Sequence, residues 1–216
     1  MNEKLSVNRR NFVKGSATVA GGVMLGGLPL KSRAKSAAND PLKVAVIGCG
    51  GRGTGAAVQA LSVKENVELV AMADAFQDRL DSSYDNISKK VEDKKRVNVK
   101  DKDKYVGFDA YKAAIDMADV VILTAPPGFR PEHLEYAINA DKHIFCEKPL
   151  ATDAPGIRKV LELAEVAKAK KLNVVVGLQR HYQTVYRELM KRVHGGEIGQ
   201  ITSTQVYWNG GGVWVH

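Results

Sequence analysis

The chain has 216 residues, 44% of them hydrophobic and 26% charged, a composition that can build a packed core and excludes a low-complexity polymer. Its net charge of +8 is lopsided: residues 1–38 carry seven cations against Glu3, a net +6, which leaves +2 for everything after them. A body so nearly balanced has no electrostatic footprint for a nucleic-acid partner, and its two cysteines, Cys49 and Cys146, supply neither a disulfide framework nor a metal-binding spacing.

The leader has its own pattern. Asn8–Lys14 holds the pair Arg9-Arg10, with the bulky apolar Phe12 two positions on. A glycine-rich apolar stretch, Gly15–Leu30, follows, then basic residues and the small cluster Ser36-Ala37-Ala38. Gly15–Leu30 falls short of the roughly 20 apolar residues of a membrane span. The arrangement resembles a twin-arginine export signal over residues 1–38, with cleavage near Ala38, passage through the twin-arginine machinery and a periplasmic destination. Retention of the leader as a membrane anchor and a disordered basic tail are the alternatives.

From Leu42 the chain alternates. A strand is predicted at Leu42–Ile47, a helix from Thr54 to Val63, a strand at Val67–Ala73 and a helix from Gln77 to Val91. The Lys- and Asp-rich stretch Lys89–Lys104 reads as a solvated connection with a short strand at Val97–Val99. Tyr111–Ile115 is a short helix, and the β-branched run Val120–Ala125 a strand covered on both faces, broken at Pro126-Pro127-Gly128. A helix over Pro131–Ala140, a strand at His143–Cys146, a helix over Ala154–Lys170, a strand at Asn173–Gly177 and a helix over Gln183–His194 complete the run. Strands separated by helices imply right-handed crossovers and a doubly wound parallel sheet of the Rossmann type, placed at residues 39–177. Residues 178–216 read as the start of an α+β second domain with an open-faced sheet, its first strand at Ile201–Trp208. One strand makes no sheet, so that second domain is expected to be incomplete at His216.

The most informative segment joins the first strand to the first helix. Gly48, Gly50 and Gly53 occupy the three slots of G-x-G-x-x-G, directly after an apolar strand. They allow a tight turn, close approach of the backbone to a pyrophosphate, and close helix–strand packing. The N-terminus of the helix that follows presents free N–H groups to an anion, and Gly51 and Arg52 lie within the glycine loop before it. Arg52 either pairs with phosphate or points to solvent. Asp74 lies 21 residues beyond Gly53 at the end of the second strand, where an acid hydrogen-bonds the adenosine ribose. A carboxylate there repels a 2′-phosphate and favours NAD, while Arg79 nearby keeps NADP open.

Glu147-Lys148-Pro149 follows the strand His143–Cys146. With the glycine loop, Asp74 and Thr124-Ala125-Pro126-Pro127, it resembles the glucose–fructose oxidoreductase / inositol dehydrogenase family (Gfo/Idh/MocA), from about residue 42 onward. The resemblance implies an NAD(P)-dependent oxidoreductase acting on a sugar, sugar acid or cyclitol, homo-oligomeric in its full length. It implies that Thr124, Pro126 and Pro127 line the cofactor cleft with His133 on the helix beyond. It sets Glu147 near the nicotinamide ribose, Lys148 at the substrate carbon and oxygen, and Arg180 and Tyr182 near both. It places a further acid/base beyond His216, so nucleotide binding without full turnover is the expectation for these residues. Physical chemistry supports Lys148 separately: an alkoxide developing in a closed site needs a cation or donor beside it.

The remaining candidates have plainer readings. His133 reads as a structural helix residue rather than a proton carrier, His181 as non-catalytic, Trp208 and Trp214 as sheet packing or an oligomer surface, and both cysteines as small buried apolar residues. Two other functions fit the same motifs: an NAD-dependent glycosidase, resembling the α-N-acetylgalactosaminidases that use bound NAD as an internal redox relay, and a noncatalytic nucleotide-binding fragment.

Overall fold

A computed structural model describes residues 40–207, 209 and 210. The leader, Trp208 and Trp214 lie outside the described residues.

Six strands form one sheet: β1 (Leu42–Ile47), β2 (Val67–Asp74), β3 (Lys104–Val106), β4 (Val120–Leu123), β5 (His143–Cys146) and β6 (Val174–Val176). All neighbours are parallel, in the order β3-β2-β1-β4-β5-β6. The helices are α1 (Gly51–Leu61), α2 (Gln77–Lys90), α3 (Ala110–Asp116), α4 (Arg130–Asn139), α5 (Ala154–Ala169), α6 (Gln179–Tyr182) and α7 (Thr184–His194). Strand order reverses between β1 and β4, the place where an open α/β sheet leaves a crevice beyond its carboxyl ends.

The unbroken apolar runs follow from burial on two faces. Successive β1 side chains point in opposite directions. Ala45 and Ile47 join a core with Ile115, Leu134 and Ile138, whereas Val44 and Val46 join another with Leu61, Leu80 and Ile87. Helical spacing matches: α1 buries Gly53, Ala56, Ala57 and Leu61, and α2 buries Leu80, Ser83 and Ile87, one stripe each.

Three sequence expectations shift. The first helix begins at Gly51 rather than Thr54, because the glycines that suggested a loop form its first turn. No strand forms at Val97–Val99, where an isolated bridge joins Val97 to Leu69; the third strand is Lys104–Val106, paired with Met72–Asp74. That strand sits at the sheet edge and is half exposed, so it lacks the apolar signature of its neighbours. Residues 201–207 form no strand and are exposed: extended backbone needs a partner for its N–H and C=O groups, and among the described residues they have none. No residue of α6 or α7 is buried.

Leu69 is fully buried in the second core. Leu69→Ala should lower unfolding free energy by about 3 kcal/mol, read from the urea midpoint at unchanged slope; a loss under about 1 kcal/mol would mean the core relaxes around the cavity.

Candidate dinucleotide-binding cleft

The carboxyl ends of β1, β2, β4 and β5 open into one cleft of about 670 Å³. Gly48, Gly50, Arg52, Asp74, Thr124, Pro126, Pro127, His133, Glu147 and Lys148 all line it. The sheet brings them together from four strand ends spread over a hundred residues of chain.

Gly48 has φ +96°, a left-handed conformation, and a Cβ there would lie 2.3 Å from the Ala125 nitrogen. Gly53 lies beneath the floor; its Cβ would stand 2.0 Å from the Gly48 oxygen and 2.7 Å from Thr124 Oγ1. Those two glycines are needed for packing. Gly50 and Gly51 differ, because a Cβ on either would meet nothing within 4 Å. Their backbone faces open space, as the seat of a ligand must.

The first turn of α1 carries no side-chain cap and no acidic residue. Thr54 does not cap either; its hydroxyl bonds back to the Gly50 carbonyl. The leading N–H groups of a helix have no intrahelical acceptors, and an anion supplies them. An uncapped, acid-free helix start beside open glycine backbone therefore fits the diphosphate of a dinucleotide.

Asp74 closes one wall. Its carboxylate accepts from the Cys49 nitrogen at 2.6 Å and from the Phe76 nitrogen at 3.0 Å. Each oxygen keeps a further lone pair, so the group can hold the glycine loop and still accept from ribose hydroxyls. Arg79 lines the same cleft. Thr124 fastens the end of β4 to that of β1 through its hydroxyl, which donates to the carbonyls of Ile47 and Gly48 at 3.0 and 2.7 Å.

At the other end, Glu147 is buried and its Oε1 accepts from Arg52 Nε at 2.7 Å. The guanidinium of Arg52 is half exposed and spans from the glycine loop to β5, so it neither points to solvent alone nor stands free for phosphate alone. Gly177 abuts this carboxylate, 3.0 Å from where its Cβ would be. Lys148 is exposed on the cleft wall, and the peptide bond to Pro149 is cis.

His133 is buried between the rings of Tyr111 and Phe129, at 4.2 and 6.2 Å between centroids. Burial pushes its pKa down to about 4, with the Arg130 charge acting the same way and Glu132 opposing it. It is neutral near pH 7, in keeping with a structural role. Burial, then the Asp74 charge, pushes the Cys49 thiol up to about 12; burial does the same for Cys146. Both are inert as nucleophiles near neutrality.

Arg180 and Tyr182 are not brought to the cleft. Both are exposed on α6, where the Arg180 guanidinium donates to Gln183 Oε1 and lies over the Tyr186 ring. Their position just after a strand promised proximity, but β6 is the sheet edge, and a residue following it is not thereby over the crevice. His181 is exposed beside them.

The cleft also holds residues that sequence reasoning passed over: Phe76, Phe108 and Phe129, all exposed, and the buried Arg130. A signal existed for Arg130. It opens a helix, where the positive dipole end disfavours a cation, so its presence there calls for a particular partner. Among the described residues no cluster of three His, Cys, Asp or Glu is placed to hold a metal ion.

The sequence profile of the Gfo/Idh/MocA family, an oxidoreductase family with an NAD-binding Rossmann fold, matches residues 42–178. Inositol 2-dehydrogenase of Serratia proteamaculans is 35% identical over 162 residues, covering 74% of this chain and 43% of that protein. Inositol 2-dehydrogenase of Salmonella typhimurium is 30% identical over 161 residues, with the same coverage of 74% and 43%. Among solved structures, myo-inositol 2-dehydrogenase from Lactobacillus plantarum superposes with a TM-score of 0.60 at 30% identity, over 75% of this chain and 43% of that one. The chain spans less than half the length of these relatives.

The depressed pKa of His133 has a thermodynamic consequence. The unfolded chain takes up a proton near pH 6.5 and the native state only near pH 4, so the stabilising contribution is complete above pH 6.5 and is lost as pH falls toward 4. At pH 5 the loss is about 2 kcal/mol. Urea unfolding of the wild type and of His133→Asn should show a stability gap that narrows by that amount between pH 7.5 and pH 5; a constant gap would contradict a neutral, buried imidazole.

Proposed function

The chain belongs to the Gfo/Idh/MocA oxidoreductase family, with its NAD-binding Rossmann fold, and from that membership we propose an NAD-dependent dehydrogenase of a cyclitol or sugar hydroxyl. One observation carries the reading: an uncapped glycine-rich helix start, Asp74, Glu147 and Lys148 share one cleft at the reversal of strand order. The names of the relatives, inositol 2-dehydrogenases, support a cyclitol within the wider class.

The division of labour follows from position. The backbone N–H groups of Gly51, Arg52 and Gly53 take the diphosphate. Asp74 accepts from the adenosine ribose and disfavours a 2′-phosphate by like charge, which selects NAD over NADP. Glu147, held by Arg52, faces the second ribose. When bound, NAD supplies the hydride acceptor. Lys148, as an ammonium, donates a hydrogen bond to the substrate hydroxyl oxygen and favours the negative charge that grows there as the carbon–hydrogen bond breaks; the hydroxyl proton passes to water. The alcohol carbon becomes a carbonyl.

The reading extends to export. Arg9-Arg10, the glycine-rich stretch and Ser36-Ala37-Ala38 support a twin-arginine signal and a periplasmic destination. That route carries folded proteins, which suits an enzyme loaded with its cofactor beforehand.

Calorimetry should find saturable binding of NAD⁺, tighter than that of NADP⁺ by about tenfold or more, and Asp74→Asn should narrow this preference. Lys148→Met should lower NADH formation from myo-inositol by about 10²-fold or more and leave NAD⁺ affinity nearly unchanged. Binding of NAD⁺ without NADH formation from any cyclitol or sugar, when the chain is extended to the length of its relatives, would leave the cofactor assignment standing and remove the dehydrogenase. Replacing Arg9 and Arg10 together by Lys should retain the protein in the cytoplasm; continued periplasmic recovery would remove the export reading.

A further inference from the structure

A buried guanidinium joins the two turns that frame the lysine end of the cleft. Arg130 is 3% exposed, opens α4 and directly precedes Pro131. One terminal nitrogen donates to the carbonyl of Ala125, just past β4, and the other to the carbonyl of Pro149, the residue after Lys148. Among the described residues no ion pair with a carboxylate accompanies these bonds.

A cation is costly here on three grounds. Burial removes its hydration, and holds its pKa below the ordinary value. The helix N-terminus adds a positive potential. Two carbonyl dipoles replace the full counter-charge that a carboxylate would bring. An apolar side chain would fill the space without these costs, but it could not fix two main-chain oxygens from separate turns at one spacing. A planar guanidinium does so, because its donors diverge from a rigid fork.

We infer that Arg130 is the positioning residue for Lys148, a brace between the β4–α4 turn and the Lys148-Pro149 turn that sets where the ammonium stands over the cleft. The inference rests on the assignment of Lys148 to the reacting oxygen. It makes Arg130 necessary for placing the amine, beyond any share in stability. Lysine should not replace it, since a compact ammonium on a flexible stem does not hold both carbonyls in a fixed fork.

The test uses the whole chain with its lysine amines reductively methylated with ¹³C, the Lys148 resonance being assigned by its disappearance in Lys148→Arg. Arg130→Lys and Arg130→Met should fold by circular dichroism and bind ADP-ribose within about threefold of the wild type. In both, the Lys148 resonance should move and broaden, while those of Lys64 and Lys168 stay in place. Where a cyclitol is turned over, kcat should fall by about tenfold or more with the KM for NAD unchanged. A Lys148 resonance that superimposes on the wild type in either folded variant would reduce Arg130 to a structural staple and overturn the inference. Failure of both variants to fold would overturn it too, by assigning the arginine to the domain as a whole. Should the wild type bind no NAD, the proposed function fails, yet the Lys148 resonance still decides the role of Arg130.

Discussion

Everything in the cleft depends on how closely one helix start can lie on two strand ends. The absent side chain of Gly53 lets α1 press against the Gly48 carbonyl and the Thr124 hydroxyl, with no space for even a methyl group. That approach points the uncapped first turn into the crevice between β1 and β4. Were the helix displaced by the width of a side chain, its free N–H groups would open onto solvent rather than onto a pocket bounded by Asp74 and Glu147. The packing requirement and the binding requirement are thus met at a single turn, by different glycines: Gly48 and Gly53 face protein, Gly50 and Gly51 face open space.

The strand ends are then stitched together by polar groups rather than by apolar packing. Asp74 holds the glycine loop, Thr124 ties β4 to β1, Arg52 reaches Glu147 at β5, and Arg130 links the turns after β4 and β5. Loops at the end of a parallel sheet have main-chain groups that the ladder no longer satisfies, and burying them unpaired is costly. Side chains that supply those bonds also fix the turns, so the same atoms serve stability and geometry.

Charge is distributed to match. Asp74 stands at one end and Glu147 at the other, with Arg52 and the helix start between them. This pattern supports the proposed binding mode, with the diphosphate at the cation and free amides and the ribose hydroxyls at the carboxylates. His133, neutral and stacked between aromatic rings, adds no charge to this pattern. The proposed chemistry thereby falls to Lys148, the exposed amine at the Glu147 end.

Much of this was legible in the residues. Leu42–Ile47 and His143–Cys146 coincide with β1 and β5, because each contains a short apolar run, Val44–Ile47 and Ile144–Cys146, of the kind a buried strand needs. The glycine spacing, Asp74 and Glu147-Lys148 were legible too, since each sits a fixed step beyond a strand, and chain order alone sets the residue that leaves a strand end. Chain order does not determine which strands lie at the centre. Only the assembled sheet decided that β6 is an edge and that Arg180 and Tyr182 do not line the crevice, that Lys104–Val106 rather than Val97–Val99 extends β2, and that Arg52 meets Glu147 and Arg130 meets Pro149. Those outcomes depend on distances between segments remote in sequence, which local pattern cannot encode.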